Sequence, residues 1–317
     1  MHVYRWDLDK TYLETDFDSL RGLVRSATEP ASQKRAVPGA TALVRALSAR
    51  DGARVFILSG SPTQMRAVLE EKLRLDGVQY DALVLKDNLD NLRKGRLRAI
   101  RGQIGYKLPT LLQSRVGVGG GVPETCFGDD AEADALVYSI YADALAGRLN
   151  PADVSRILEV AGAYPDNIDA ALESLSRLPQ GAAVDRIFIR LASNAPPTRF
   201  APLGSRLVTI HSWWQAALVL AWLGQVSAGV CDEVLAEARA GGASMDAWAA
   251  SGLVQDLVRR GHLPAHVAPQ LIGPPDLRDA VARSLTLLGP LPGALVELPP
   301  TGADYLNLVR QWGHKSS

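Results

Sequence analysis

Apolar and polar positions change their period several times along the chain. Short apolar runs at residues 3–6, 54–58, 82–85 and 124–127 predict strands, and segments 39–50, 62–75, 107–113 and 131–146, with apolar residues at helical spacing, predict helices. Pro38 and Pro62 stand where two of these helices open, as proline favours. Strands alternating with helices predict an α/β fold built on a Rossmann-like parallel sheet. Ligands of such sheets lie beyond the carboxyl ends of the strands, so the residues just after each strand carry the interest.

Past residue 150 the texture becomes Ala- and Leu-rich with helical period, punctuated by Pro179, Pro196-Pro197, Pro264, Pro274-Pro275 and Pro299-Pro300. Only 184–191 reads there as a strand. Residues 1–150 are therefore expected as one α/β domain and residues 151–317 as a mostly helical accessory domain, with the break between 148 and 180. A chain of 317 residues is long enough for two cores. The stretch 213–223 places Trp213, Trp214, Leu218, Leu220, Trp222 and Leu223 around nearly a whole helix, which predicts a buried central helix. It falls short of the roughly 20 residues that a membrane span needs.

Charge and cysteine usage narrow the classes of partner. Lys plus Arg equals Asp plus Glu at 34 each, so no net field draws the chain to nucleic acid or an anionic membrane. Cys126 and Cys231 have neither a CxxC spacing nor a histidine pair beside them, which argues against a zinc site or a disulfide framework. His211, His262 and His266 read as structural. No basic stretch followed by an apolar run opens the sequence, so no secretory leader is expected. These features together predict a cytoplasmic protein without a transmembrane segment.

Four clusters carry candidate chemistry, each at a predicted strand end. Asp7 and Asp9, with Thr11, follow the first strand; two carboxylates so spaced can divide nucleophile and acid/base roles. Ser59-Gly60-Ser61-Pro62 follows the second; Ser59 and the adjacent backbone N–H groups suit a phosphoryl oxygen, and Ser61 reads as an N-cap. Lys107 stands at a helix start, where a cation can neutralise phosphate, with Lys86 its rival. The fourth cluster, Gly128-Asp129-Asp130-Ala131-Glu132-Ala133-Asp134, crowds carboxylates at a strand end, which calls for a hard cation such as Mg²⁺. Helix capping by Asp129, Asp130 and Glu132 is the competing explanation.

In chain order these motifs (Asp7/Asp9/Thr11, Ser59, Lys107, Asp129/Asp134) resemble the haloacid dehalogenase superfamily. Over residues 1–145 the chain is most similar to the phosphatidate phosphatase catalytic domain of actin-patch proteins. It matches at Pro38-Gly39, Leu58-Ser59-Gly60-Ser61-Pro62, Tyr106-Lys107 and Phe127-Gly128-Asp129 with Asp134 and Tyr138, and departs at Lys10, Thr63 and Asp130. The resemblance implies a magnesium-dependent phosphomonoesterase acting through a phosphoaspartyl intermediate. It assigns Asp7 as nucleophile, Asp9 as acid/base, Ser59, Gly60, Thr11 and Lys107 to the phosphate, and Mg²⁺ to Asp7, the Asp9 carbonyl and Asp129. Asp130 and Asp134 complete the candidate metal set.

Neither gap between motifs is long enough for a full lid, which implies a large substrate or a lid from the second domain. A phosphorylated lipid is one expectation. Another is a nucleic-acid end, which the basic stretch with Lys94, Arg96, Arg98 and Arg101 would serve, and a third reading is a non-catalytic scaffold. Of Arg186, Arg190, Arg199 and Arg206, some are expected to face a phosphate-bearing substrate from the second domain, the competing explanation being a solvated face.

Overall fold

The computed structural model describes residues 1–15, 29–86, 102–179, 181, 183–193, 195–289 and 302–312. Six strands form one all-parallel sheet: β1 (His2–Asp7), β2 (Ala53–Pro62), β3 (Ala82–Lys86), β4 (Glu124–Asp129), β5 (Val184–Arg190) and β6 (Leu207–Ile210). Their order is β3-β2-β1-β4-β5-β6. This is the doubly wound order, whose switch point between β1 and β4 opens a crevice at the carboxyl edge. The basic stretch expected to serve nucleic acid lies outside the described residues, as does most of the polar segment after Thr15.

The described helices are α1 (Ala40–Ser48), α2 (Arg66–Leu75), α3 (Ile104–Arg115), α4 (Asp134–Leu145), α5 (Pro151–Val160), α6 (Pro165–Arg177), α7 (Trp213–Trp222), α8 (Ala228–Ala240), α9 (Ala247–Arg259), α10 (Pro275–Thr286) and α11 (Tyr305–Trp312). One core joins Tyr4 and Trp6 of β1 to α1, α2 and α7–α10; the other joins Cys126 of β4 to α3–α6 and α11. Helices thus cover both faces. Among the described residues no helix is long and apolar enough to cross a membrane.

Residues on both sides of the expected domain break share this sheet and both cores. β5 pairs with β4 from Glu124↔Val184 to Asp129↔Arg190, and β6 pairs with β5. The physical reason is the apolar strand at 184–190: beside an uncovered β4 it completes a ladder and buries Ile187, Phe188 and Ile189. Strand β6 was not legible in the sequence, because a four-residue strand is too short to show a period. Cross-strand pairing also builds an aromatic stripe, with Trp6 stacked on Phe127 at 4.1 Å and Phe127 on Phe188 at 5.4 Å. Trp213 of α7 covers it, 5.0 Å from Trp6. Residues 213–220 are all buried, as expected of a central helix, and Ser212 and Gln215 form its capping box.

Two polar devices lock the layers. Glu237 of α8 accepts the N–H groups of Gly39, Thr41 and Ala42 at 3.2, 3.1 and 2.6 Å, so a carboxylate from the C-terminal half caps α1. At the amino edge, Glu124 takes Arg5 Nε at 2.6 Å, Arg115 Nη1 at 2.6 Å and the Tyr141 hydroxyl at 2.8 Å, all in the buried interior. Burial alone would raise the Glu124 pKa; the two guanidinium groups and the phenol outweigh it and hold the carboxyl below its usual range.

Replacing Glu124 by Gln leaves two buried guanidinium groups facing a neutral amide, and is expected to cost about 3–5 kcal/mol in denaturant melts at pH 7. Because the native pKa is lowered, the Glu124 contribution is present above the unfolded pKa of about 4.3 and is lost as pH falls through the native value, so the gap between wild type and variant narrows in acid. A truncation at residue 148 removes β5, β6 and α5–α11 and uncovers both cores; circular dichroism and melting are expected to show no cooperative transition.

Candidate active site

The carboxyl ends of β1, β2 and β4 bring together the motif residues. Lys107 Nζ, fully buried, donates to Asp7 Oδ1 at 2.7 Å, Glu132 Oε2 at 2.7 Å and Asp134 Oδ1 at 2.5 Å. On the other side of the switch point, Ser59 Oγ and Ser61 Oγ donate to Asp9 Oδ2 at 2.7 and 3.0 Å. Ser59 Oγ also accepts the Ser61 N–H at 2.9 Å. Thr11 Oγ1 donates to Asp129 Oδ2 at 3.0 Å, while Asp129 Oδ1 accepts the N–H groups of Ala131 and Glu132.

Local chemistry explains how the backbone presents these groups. Helix α3 carries Lys107 in its first turn although Pro109 sits inside the helix. Proline cannot donate to the Gly105 carbonyl four residues back, and Asn167 Nδ2 of α6 makes that bond instead at 3.0 Å. A Cβ on Gly105 would lie 3.0 Å from the Ala163 Cβ, so the glycine also lets α3 sit close to the end of α5. Tyr106 reaches back with its hydroxyl to the Ser59 carbonyl at 3.3 Å and ties the second and third motifs together. Lys86 is buried at the end of β3, 5.2 Å over the Tyr106 ring, and donates to the Gly102 carbonyl at 3.4 Å. Of the two lysines, Lys107 is the one bonded to Asp7.

Electrostatics follow from burial. Burial raises the Asp7 carboxyl well above the carboxylate range, with Asp134 adding repulsion and Lys107 opposing. Asp9 is pushed up to about 6, first by burial and then by Glu132, against the hydroxyls of Ser59 and Ser61. The same causes, burial and then Asp134, take Asp129 to about 8. Burial works against the Lys107 ammonium, but Asp134, Asp7 and Glu132 outweigh it and hold the charge firmly. Burial lowers Lys86 to about 8.

Several expectations change in detail. Asp130 does not turn to a metal position: its oxygens accept Ser193 N–H and Oγ, both at 2.7 Å, and Ala195 N–H at 3.1 Å, because β5 brings that loop alongside. Ser61 is no N-cap, since a 3-10 turn at Thr63–Met65 precedes α2 and the Ser61 hydroxyl points to Asp9. Glu132, read as a capping residue, joins Asp7 and Asp134 in the group whose carboxylate oxygens lie within 4.8 Å of one another. Only the crowding of acids in that run signalled it. Asp134 holds Lys107 and accepts the Asp129 N–H at 3.2 Å, so both of its oxygens are engaged. Gly60 faces the Gln103 amide, 3.4 Å from where a Cβ would stand. Of the four arginines considered for a phosphate, Arg190 donates to the Lys10 carbonyl in the loop after β1; Arg199 covers the Trp312 ring, Arg206 pairs with Asp143 and Arg186 donates to the Asp185 carbonyl.

The residues fit a hard cation. Asp7 Oδ2 and Asp9 Oδ1 are buried and have no hydrogen-bond partner among the described residues, and carboxylate oxygens are the ligands such an ion takes, with Lys107 Nζ already seated among Asp7, Glu132 and Asp134. Comparison with known proteins adds no relative: no family model, curated protein or solved structure matches the chain.

Gly128 is the tightest point of the fourth motif. A Cβ there would lie 2.6 Å from the Asp134 Cβ and Oδ2, so Gly128→Ala must displace the residue that holds Lys107. Thermal melts are expected to show a loss of about 1–3 kcal/mol.

Proposed function

We propose that the chain is a magnesium-dependent phosphohydrolase of the haloacid dehalogenase type. The observation that carries this reading is the paired arrangement at the switch point, where Lys107 lies 2.7 Å from Asp7 and Ser59 lies 2.7 Å from Asp9. A binding module has little use for two buried carboxylates held so differently. One has an ammonium beside it and one oxygen without a partner; the other sits against two hydroxyls with its pKa raised to about 6.

In this reading the Asp7 carboxylate attacks phosphorus and the ester oxygen leaves, giving an aspartyl phosphate. Asp9, protonated when substrate binds, gives its proton to the leaving oxygen, and its carboxylate then takes one from the water that releases phosphate. A carboxyl near pH 6 suits both half-reactions. Lys107 and the Ser59 hydroxyl face the phosphoryl oxygens and offset the repulsion between two anions. Mg²⁺ held by the Asp7 carboxylate, the Asp9 backbone carbonyl and Asp129 would supply further neutralisation of those oxygens. The substrate class is a phosphate monoester, and phosphatidate enters as a candidate through the resemblance alone.

The test is a screen of lipid, nucleotide and sugar phosphates with Mg²⁺ and with EDTA. Turnover is expected only with the metal. Asp7→Asn is expected to abolish it, because an amide forms no acyl phosphate, and Asp9→Asn to slow it about 10²–10⁴-fold. Wild-type rates from Asp7→Asn would rule out this nucleophile.

A further inference from the structure

The loop that presents Asp7, Asp9 and Thr11 turns on one unusual residue. Lys10 has φ 59°, the sole positive φ outside glycine among the described residues. A left-handed conformation costs such a residue roughly 1–2 kcal/mol, so neighbours must hold it. On either side of this turn, Asp9 bonds Ser59 and Ser61 and Thr11 bonds Asp129, while Asp7, at the end of β1, bonds Lys107.

Among the described residues, the C-terminal half holds the Lys10 carbonyl. Its carbonyl accepts both Nε and Nη2 of Arg190, at 3.1 and 2.6 Å, and its N–H reaches Thr15 Oγ1 at 3.1 Å. Arg190 ends β5 and is paired across the sheet with Asp129, so its stem is fixed by the ladder. One residue on, the Thr11 carbonyl accepts Trp213 Nε1 at 3.2 Å. Hydrogen bonds from a charged donor are about twice as strong as neutral ones, and the planar fork fixes direction as well as distance.

We propose that Arg190 is a positioning residue for Asp9: by gripping the Lys10 carbonyl it sets the backbone from which the acid/base reaches the ester oxygen. The inference rests on the phosphohydrolase reading. The hydroxyls of Ser59 and Ser61 fix one Asp9 oxygen, and Arg190 fixes the chain next to it, so the carboxyl is held from both ends. A displacement of about 1 Å can lower a rate about 10²-fold.

Proton donation matters most when the leaving group is poor, which separates positioning from general support. In the full-length protein with Mg²⁺, Arg190→Met is expected to lower kcat/KM for a simple alkyl phosphate about 10²-fold and for p-nitrophenyl phosphate only about threefold. Arg190→Lys, which keeps one charged donor, is expected to regain part of the alkyl rate. Hydrogen exchange supplies a readout without catalysis: the Tyr12 and Leu13 N–H groups, both bonded to the Leu8 carbonyl, should exchange about tenfold faster in Arg190→Met, with β1 and β4 unchanged. Equal losses on both esters, or unchanged exchange at Tyr12 and Leu13, overturn the proposal. If the wild-type protein hydrolyses neither ester, the phosphohydrolase reading falls, and the exchange result alone decides whether Arg190 sets this loop.

Discussion

An ammonium group removed from water and surrounded by carboxylates organises the carboxyl edge of this sheet. Lys107 stands between Asp7 of β1 and the Glu132 and Asp134 carboxylates that follow β4, and none of the three elements could bring its acids so close without it. Like charges packed at hydrogen-bond range repel strongly in a medium of low dielectric. With the cation present these carboxylates stay together at the switch point, and Asp7 Oδ2 is left buried with no hydrogen-bond partner among the described residues. Position in the fold and chemistry of the site are thus one problem, solved by a single side chain on α3.

The second constraint is that the site is supported from behind by the whole chain. The loop from Asp7 to Leu13 rests on Arg190 and Trp213, Asp130 is committed to the loop after β5, and Glu237 caps α1. A catalytic half with a separable accessory half would place none of these contacts across the middle of the sequence. The helical character of residues beyond 210 is real, but α7–α10 pack into the core with Tyr4 and Trp6 and α11 into the core with Cys126, so they build no core of their own.

Most of this was legible in the sequence where local signals were strong. Four strands and their following helices announced themselves by period, Asp7, Asp9 and Ser59 by position at strand ends, and Lys107 by its place at a helix start. Ser61 was misread because a serine before proline looks like a cap, and the extra turn that turns it inward has no local signature. Asp130 turns away from the other acids for a reason no short window contains, since β5 lying next to β4 brings Ser193 to Asp130. The positions of β5 and β6 depend on partners far away in sequence, which periodicity does not report.

The strand order has a consequence for how the protein is made. β4 is an interior strand of the finished sheet, yet its neighbour β5 lies some sixty positions later in the chain. At about 5–20 residues per second, a translating ribosome leaves β4 with an open hydrogen-bonding edge for roughly 3–12 s before residue 190 is added. That edge carries Thr125, Cys126 and Phe127, all apolar or β-favouring, with no proline to blunt it. Until residues 184–210 are made, that side of β4 has no partner within the chain, and the sheet is complete only when the two late strands supply it.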